Sequence, residues 1–224
     1  MSPGRCIAVV PVKPMAAALG RLADVLDSGE RHALQGAMLR DVLLACERSG
    51  AVAATIVVTS DPAAEAVARS LGAGVEADHV PPRGMNAAVS RGLRAAERWG
   101  ARSALVLTAD LPLIRADDLD RIAGREHELL DVALAPSRDG TGTNAMLLRP
   151  PAAIGPELGP DSLARHIRRA QDRGLRWATV DLPSVALDID TPDDLAALRA
   201  AGAGSCAGEV LASIEWPAAA GSSH

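Results

Sequence analysis

The sequence predicts an α/β domain on a mostly parallel, doubly wound sheet over residues 1–201, followed by a flexible tail over 202–224. Two observations predict it. Short runs rich in Val, Ile and Leu alternate with longer stretches of helical periodicity, the pattern of successive βαβ units. At 224 residues and 23.0 kDa the chain suits one sizeable core of this kind. It shows no internal repeat and no linker between two cores.

Residues 6–12 (CIAVVPV) read as the first strand. The start MSPGRCIAVVPVKP breaks at two prolines, so it is read as a strand and not as a signal peptide. Residues 30–48 follow as a helix, because Leu34, Met38, Val42 and Cys46 recur every four positions and make one buried stripe. Residues 53–59 (AATIVVT) give a second strand. The helix over 61–71 opens with an Asp61 cap and a Pro62 suited to the first turn, and stops at Gly72. Glycine ends three more helices: 86–99 before Gly100, 117–123 before Gly124, and 162–173 before Gly174. Residues 104–108 (ALVLT) and 132–135 (VALA) are further buried strands, and 145–148 and 177–180 are weaker ones. Beyond position 200 the composition turns to Ala, Gly and Ser, hence the expected flexible tail.

Composition excludes several function classes. No apolar run approaches the ~20 residues that cross a bilayer, and a soluble, cytoplasmic protein is expected. The net charge of −5 and the lack of Tyr and Phe argue against a nucleic-acid surface. Three separated cysteines (Cys6, Cys46, Cys206) show neither a disulfide framework nor zinc spacing. Five histidines (His32, His79, His127, His166, His224) lack metal spacing and read as surface residues. There is no GxxxxGK[ST] loop, no GxGxxG and no GxSxG elbow. Of 23 basic residues only Lys13 is lysine, a compact ammonium that a guanidinium does not replace.

In doubly wound sheets ligands bind beyond the carboxyl ends of the strands. Three acids meet that rule. Asp110, in ALVLTADLPL, follows a buried strand. In LDIDTPDDL an extended backbone turns Asp188 and Asp190 to one face and Ile189 to the other. Two carboxylates on one face repel unless a cation sits between them, and magnesium takes oxygen ligands from acids and phosphates. Asp188 and Asp190 are therefore read with Asp110 as magnesium ligands. Thr191, Pro192, Asp193 and Asp194 have the form of a helix start and are read as structural.

An anion site is expected beside them. DGTGTNAMLL (139–148) offers a Gly/Thr-rich turn whose amides could converge on an anion. GPDSLARHIRR then offers a helix start near Ser162 with arginines close behind. A phosphate nucleophile, with a second pKa near ~6, needs no general base. Positioning and charge neutralisation are then the protein's main tasks.

VVPVKP at 9–14, GRL at 20–22, ADLPL at 109–113, DGTGTNAMLL at 139–148, GPDS at 159–162 and LDIDTPDDL at 187–195 occur in a characteristic order. On these motifs the chain resembles, over roughly residues 5–200, the guanylyltransferases of deazaflavin coenzyme F(420) biosynthesis, the CofC or FbiD family. The resemblance implies a Rossmann-like nucleotidyltransferase fold akin to molybdenum-cofactor guanylyltransferases (a MobA/GT-A-like architecture). It implies transfer from GTP to phosphoenolpyruvate or 2-phospho-L-lactate, with pyrophosphate released. Carried onto this chain, it makes Asp110, Asp188 and Asp190 the Mg2+ ligands, and Thr143, Gly159 and Ser162 the residues that hold the acid, largely through backbone groups. Lys13 and Arg21 face the triphosphate, and Gly84 and Asn86, in RGMNAAVSRG, lie near the guanosine. One departure is visible: many relatives have a second lysine before the Ser/Thr-Arg-Leu of the first loop, where this chain has Leu19-Gly20-Arg21-Leu22. Triphosphate binding then leans on Lys13, Arg21 and the metal.

Alternatives stay open at this point. They are a 3-phosphoglycerate-using relative, a nucleotidyltransferase acting on a molybdopterin-type acceptor, and a nucleotide-binding subunit without turnover. High Arg and Ala usage, typical of a GC-rich bacterium, leans the acid toward phosphoenolpyruvate. The sequence does not choose between a monomer and a homodimer.

Overall fold

The computed structural model describes residues 5–15, 19–124 and 129–214. Its strands are β1 Cys6–Pro11, β2 Val52–Thr59, β3 Gly74–Ala77, β4 Ser103–Leu107, β5 Val132–Pro136, β6 Thr143–Leu148 and β7 Trp177–Thr179. Its helices are α1 Ser28–Arg48, α2 Pro62–Ser70, α3 Met85–Arg98, α4 Ala116–Ala123, α5 Ser162–Asp172, α6 Pro183–Ala186, α7 Pro192–Ala201 and α8 Cys206–Ser213. The strands form one sheet in the order β3-β2-β1-β4-β6-β5-β7. Every expected run is a strand, and β3 adds one that was not expected. Its sequence GVEA is short and only partly buried, so neither an apolar run nor an alternation marks it.

β1 pairs in parallel with β2 and β4, β2 with β3, and β5 with β7. β6 runs against both its neighbours. This reversal positions the site. The first residues of β6 lie beside the last of β4, with Ala145 opposite Leu107 and the Thr108 N–H donating to the Asn144 carbonyl at 3.1 Å.

Residue parity along the strands divides the core into two layers, as the pleat requires. Ala8, Val10, Val57, Leu105, Leu107 and Leu147 face α1, α2, α4 and α6. Ile7, Val9, Ile56, Val58, Val106 and Met146 face α3 and α5. Helices therefore cover both faces, which is the doubly wound arrangement.

A third cluster joins the outer side of α1 (Leu34, Ala37, Met38) to α7 (Leu195, Leu198) and α8 (Ala207, Leu211). The tail expected over 202–224 is therefore corrected for residues 202–214, while 215–224 lie outside the described residues. The buried Asp41 carboxylate of α1 accepts the Cys206 and Ala207 N–H groups at 2.7 and 2.9 Å, which holds the free amides at the start of α8. Small residues, read from composition as a sign of fraying, serve here to bring backbone close to backbone. A Cβ on Gly208 would lie 2.0 Å from the Gly202 carbonyl oxygen.

Among the described residues no helix is long and apolar enough to cross a membrane. The three cysteines are free, with Cys6 and Cys46 buried.

α3 makes its closest approach to the sheet at Gly92, where a Cβ would stand 2.3 Å from Val9 Cγ1 and 2.8 Å from Val58 Cγ2. Both valines are fully buried. Gly92→Ala gains about 1 kcal/mol of helix propensity. It also overpacks this seam, a change that typically costs ~1–3 kcal/mol. The expected outcome is net destabilisation, read as a lower urea midpoint at unchanged m-value.

Candidate active site

The acidic cluster begins where β4 ends. Leaving a buried strand, the chain carries Thr108, Ala109 and Asp110 to the sheet edge. The Asp110 carbonyl accepts the Ile189 N–H at 3.2 Å, which draws the 188–190 segment alongside. Ile189 is fully buried in the cluster that includes α7, Asp188 is half-buried and Asp190 exposed. The alternation is the one an extended backbone predicts.

Asp110 Oδ1 is sealed from solvent and has no hydrogen-bond donor. Burial pushes Asp110 up to about 6, opposed by the neighbouring Thr108 side chain and reinforced by the charges of Asp188 and Asp190. Burial also raises Asp188, against the Asn144 side-chain amide that donates to its Oδ1 at 3.2 Å. Asp190 accepts from Arg21 at 3.2 Å across an open surface, where the two side chains are 51% and 75% exposed. An exposed pair of this kind contributes only ~0–1 kcal/mol.

A buried carboxylate oxygen without a donor, beside two more carboxylates, lacks a positive partner. Among the described residues no three His, Cys, Asp or Glu converge closely enough to hold a metal by themselves. Carboxylate oxygens are the donors that a hard cation such as magnesium takes, and magnesium completes its shell with water and substrate oxygens. Asp194 is structural, as the sequence indicated. Its carboxylate accepts from the Asp190 and Thr191 N–H groups, the Thr191 hydroxyl and Arg138, and so fixes the far end of the acidic segment.

Lys13 is exposed two residues beyond β1. Arg21 sits in a single 3-10 turn, Gly20–Leu22. Leu19 adopts a left-handed conformation with φ 55° and is buried with Leu22, Leu26 and Leu187. At the position where the resemblance leads one to expect a cation, this chain turns an apolar side chain into the core.

Gly84, with φ +92°, precedes α3 in a backbone conformation that suits glycine. Asn86 begins that helix, and its amide pairs with the backbone of Leu158, Nδ2 donating at 3.1 Å and Oδ1 accepting at 2.7 Å. The carboxamide acts as a strut between α3 and the loop that leads into α5, so its own polar atoms do not project toward a base.

Thr143, Gly159 and Ser162 come together around the same loop. Thr143 and Ser162 are buried, Gly159 takes φ +120°, and the Ser162 N–H donates to the Gly159 carbonyl at 3.1 Å. The Leu163 N–H donates to the Thr141 carbonyl at 3.0 Å, tying α5 to the Gly/Thr turn.

The amide cradle expected of that turn is not formed. The Gly140 N–H donates to the Ser137 carbonyl, the Thr141 N–H to Asp139 Oδ1, and the Gly142 N–H to Ser137 Oγ, at 2.9, 3.0 and 2.7 Å. Asp139 organises the turn, and the Ser137 hydroxyl together with Thr141 holds its carboxyl down at about 2. The polar side chains at the start of β6, Thr143 and Asn144, are buried at this corner.

Three residues take part that sequence reasoning did not select. Asn144 donates to the Val185 carbonyl and to Asp188. Arg165 donates from Nη2 to the Glu157 carbonyl at 2.8 Å, while its Nε is buried without a partner. His166, expected at the surface, is fully buried between Thr143 and Glu157. Its one available signal was its spacing from Ser162, four residues away on one helix face. His32 and His79 are partly exposed, and His127 and His224 lie outside the described residues.

A cavity of about 560 Å³ between α1, α2 and α8 contains none of the candidate residues. Another, of about 530 Å³ and lined in part by Ser137, Arg138, Gly140 and Leu187, borders the Gly/Thr turn. The chemistry of the edge, not the size of a cavity, therefore marks the site.

The family described as guanylyl transferase CofC like matches residues 6–222. A phosphoenolpyruvate guanylyltransferase of Conexibacter woesei is 44% identical over 193 residues, covering 86% of each chain. A 3-phospho-D-glycerate guanylyltransferase of Phenylobacterium zucineum is 39% identical over 213 residues, covering 93% of this chain and 96% of that one. Among solved structures, a nucleotidyl transferase from Methanothermobacter thermautotroptrophicus superimposes with a TM-score of 0.59 at 20% identity, over 88% of this chain and 96% of the other. That likeness is one of fold, and it agrees with the Rossmann-like nucleotidyltransferase architecture. On the match that spans nearly its whole length, the chain belongs to the CofC-like guanylyl transferase family.

Proposed function

We propose that the protein joins a phosphorylated three-carbon acid, phosphoenolpyruvate foremost, to the guanylyl group of GTP, with magnesium, as a step toward coenzyme F(420). The observation that carries this reading is the buried Asp110 beyond the end of β4 with Asp188 and Asp190 drawn beside it by the Ile189–Asp110 backbone bond. The guanylyltransferase activities for which the relatives from Conexibacter woesei and Phenylobacterium zucineum are named support it.

In this reading a phosphate oxygen of the acid attacks the α-phosphorus of GTP. A new P–O bond forms, the bond from the α-phosphorus to the bridging oxygen breaks, and its electron pair leaves with pyrophosphate. The attacking phosphate is largely ionised already, so no side chain need remove a proton. Magnesium, when bound, supplies positive charge to the phosphate oxygens. Asp110, Asp188 and Asp190 would hold it.

Lys13 and Arg21 serve the triphosphate, Lys13 as a compact charge and Arg21 as a fork released from Asp190. Gly84 leaves room for the guanosine, and Asn86 keeps the α5 loop in register with α3. Thr143, Gly159 and Ser162 orient the acid. Phosphoenolpyruvate, 2-phospho-L-lactate and 3-phosphoglycerate differ by a methylene, a methyl or a displaced phosphate. Such differences change binding by only ~1–3 kcal/mol in an apolar pocket. The 39% identity to a 3-phospho-D-glycerate enzyme keeps that acid as the second reading.

Two outcomes test this reading. Asp190→Asn is expected to lower pyrophosphate release on the order of 10²-fold, the scale of losing a charge-stabilising group. Because its carboxylate pairs with the exposed Arg21 alone among the described residues, the urea midpoint should move by less than about 1 kcal/mol equivalent. Near-normal turnover of this variant would remove Asp190 from the metal site. Competition among the three acids at equal concentration, with GTP and Mg2+, should yield the phosphoenolpyruvate product in excess. Pyrophosphate at background with every acid would overturn guanylyl transfer to this substrate class.

A further inference from the structure

His166 lies where three segments meet. It sits on α5 one turn after Ser162, its Nε2 is 2.8 Å from the Glu157 backbone nitrogen, and its Nδ1 is 3.0 Å from Thr143 Oγ1. The side chain is fully buried.

The Glu157 amide is a donor and nothing else, so Nε2 must present its lone pair. A neutral imidazole has one N–H, and here it must stand on Nδ1. That N–H donates to Thr143 Oγ1, which leaves the threonine hydroxyl as an acceptor toward the histidine. Its own proton must then point elsewhere, and among the described residues no other hydrogen-bond partner is found for it. With the amides of Gly140, Thr141 and Gly142 engaged inside the turn, this proton is the donor that the start of β6 can offer an anion.

We infer that His166 is a positioning residue: anchored by the Glu157 N–H, it turns the Thr143 hydroxyl into a donor aimed at the phosphorylated acid. The inference rests on the acid-binding role proposed above for Thr143. Burial, the largest influence, holds His166 down at about 4, with Glu157 opposing and Arg165 and Arg169 assisting. The ring is then neutral at physiological pH, as the tautomer requires. Arg169 pairs with the Glu157 carboxylate. The Glu157 carboxylate is thus engaged by Arg169, and its backbone N–H is the contact at Nε2. A doubly protonated ring would place two N–H groups face to face at Nε2 and open the link to Glu157.

Nitrogen NMR of the full-length wild type reads the tautomer directly. Expected is a protonated Nδ1 and a bare Nε2, unchanged as the pH falls through the ordinary histidine range near ~6.5 and titrating only at about 4. A proton on Nε2, or titration near the ordinary value, would overturn the inference. Steady-state kinetics supply the second arm.

His166→Leu should raise KM for the acid about tenfold or more, the scale of a hydrogen bond to a charged group, with KM for GTP unchanged. His166→Asn, which keeps an N–H at the Nδ1 position, should restore most of that loss. Thr143→Val should match His166→Leu, and the double variant should add little to either. Parallel rises in both KM values, or no rescue by asparagine, would make His166 a packing residue only. If no acid supports turnover although the NMR tautomer is as assigned, guanylyl transfer to this substrate class fails. Titration with phosphoenolpyruvate then decides for His166: a shift at His166 and Thr143 retains its role, and no shift ends it.

Discussion

One strand of the sheet runs against its neighbours, and the candidate site depends on that reversal. In a wholly parallel sheet the carboxyl ends share one edge and the amino ends the other. β6 enters between β4 and β5 in the opposite sense. Its first residues, Thr143 and Asn144, therefore reach the edge to which β4 delivers Asp110. Asn144 then touches Asp188, and Thr143 touches His166. The Thr143–His166 corner and the carboxylate cluster become neighbours through two adjacent residues of one strand, whose side chains point to opposite faces.

This arrangement concentrates unfavourable charge. Asp110 is pushed up to about 6 by burial and by the two aspartates beside it. Arg21 offsets only the outermost of the three. Asn144 and Asp194 fix the acidic segment from both sides, Asn144 by donating to Asp188 and Asp194 by accepting the Asp190 N–H while it pairs with Arg138. Strongly perturbed carboxylates of this kind cluster at functional sites.

Much of this was legible from residue order. Helix caps, glycine stops and the four-residue stripe of α1 are local signals, and local signals survive in a single sequence. Alternation likewise foretold that Ile189 would be buried between Asp188 and a more exposed Asp190. What escaped depends on partners distant in the chain. β3 is a strand because β2 pairs with it, not because GVEA prefers to be one. His166 is buried because Thr143 and the Glu157 amide take both its nitrogens, and residues 23 and 9 positions away in sequence announce nothing of that. The Gly/Thr turn misled for the converse reason: Asp139 and Ser137, close in sequence, satisfy amides that composition alone left free for an anion.

α8 closes the apolar outer side of α1, where Leu34 and Met38 lie against Ala207 and Leu211 through the amides that Asp41 holds. A helix in the first quarter of the chain is thus completed by residues near its far end. During synthesis that greasy stripe stays uncovered until residues 206–213 have followed it from the ribosome, and a nascent chain halted before position 206 would display it to chaperones or to its own kind.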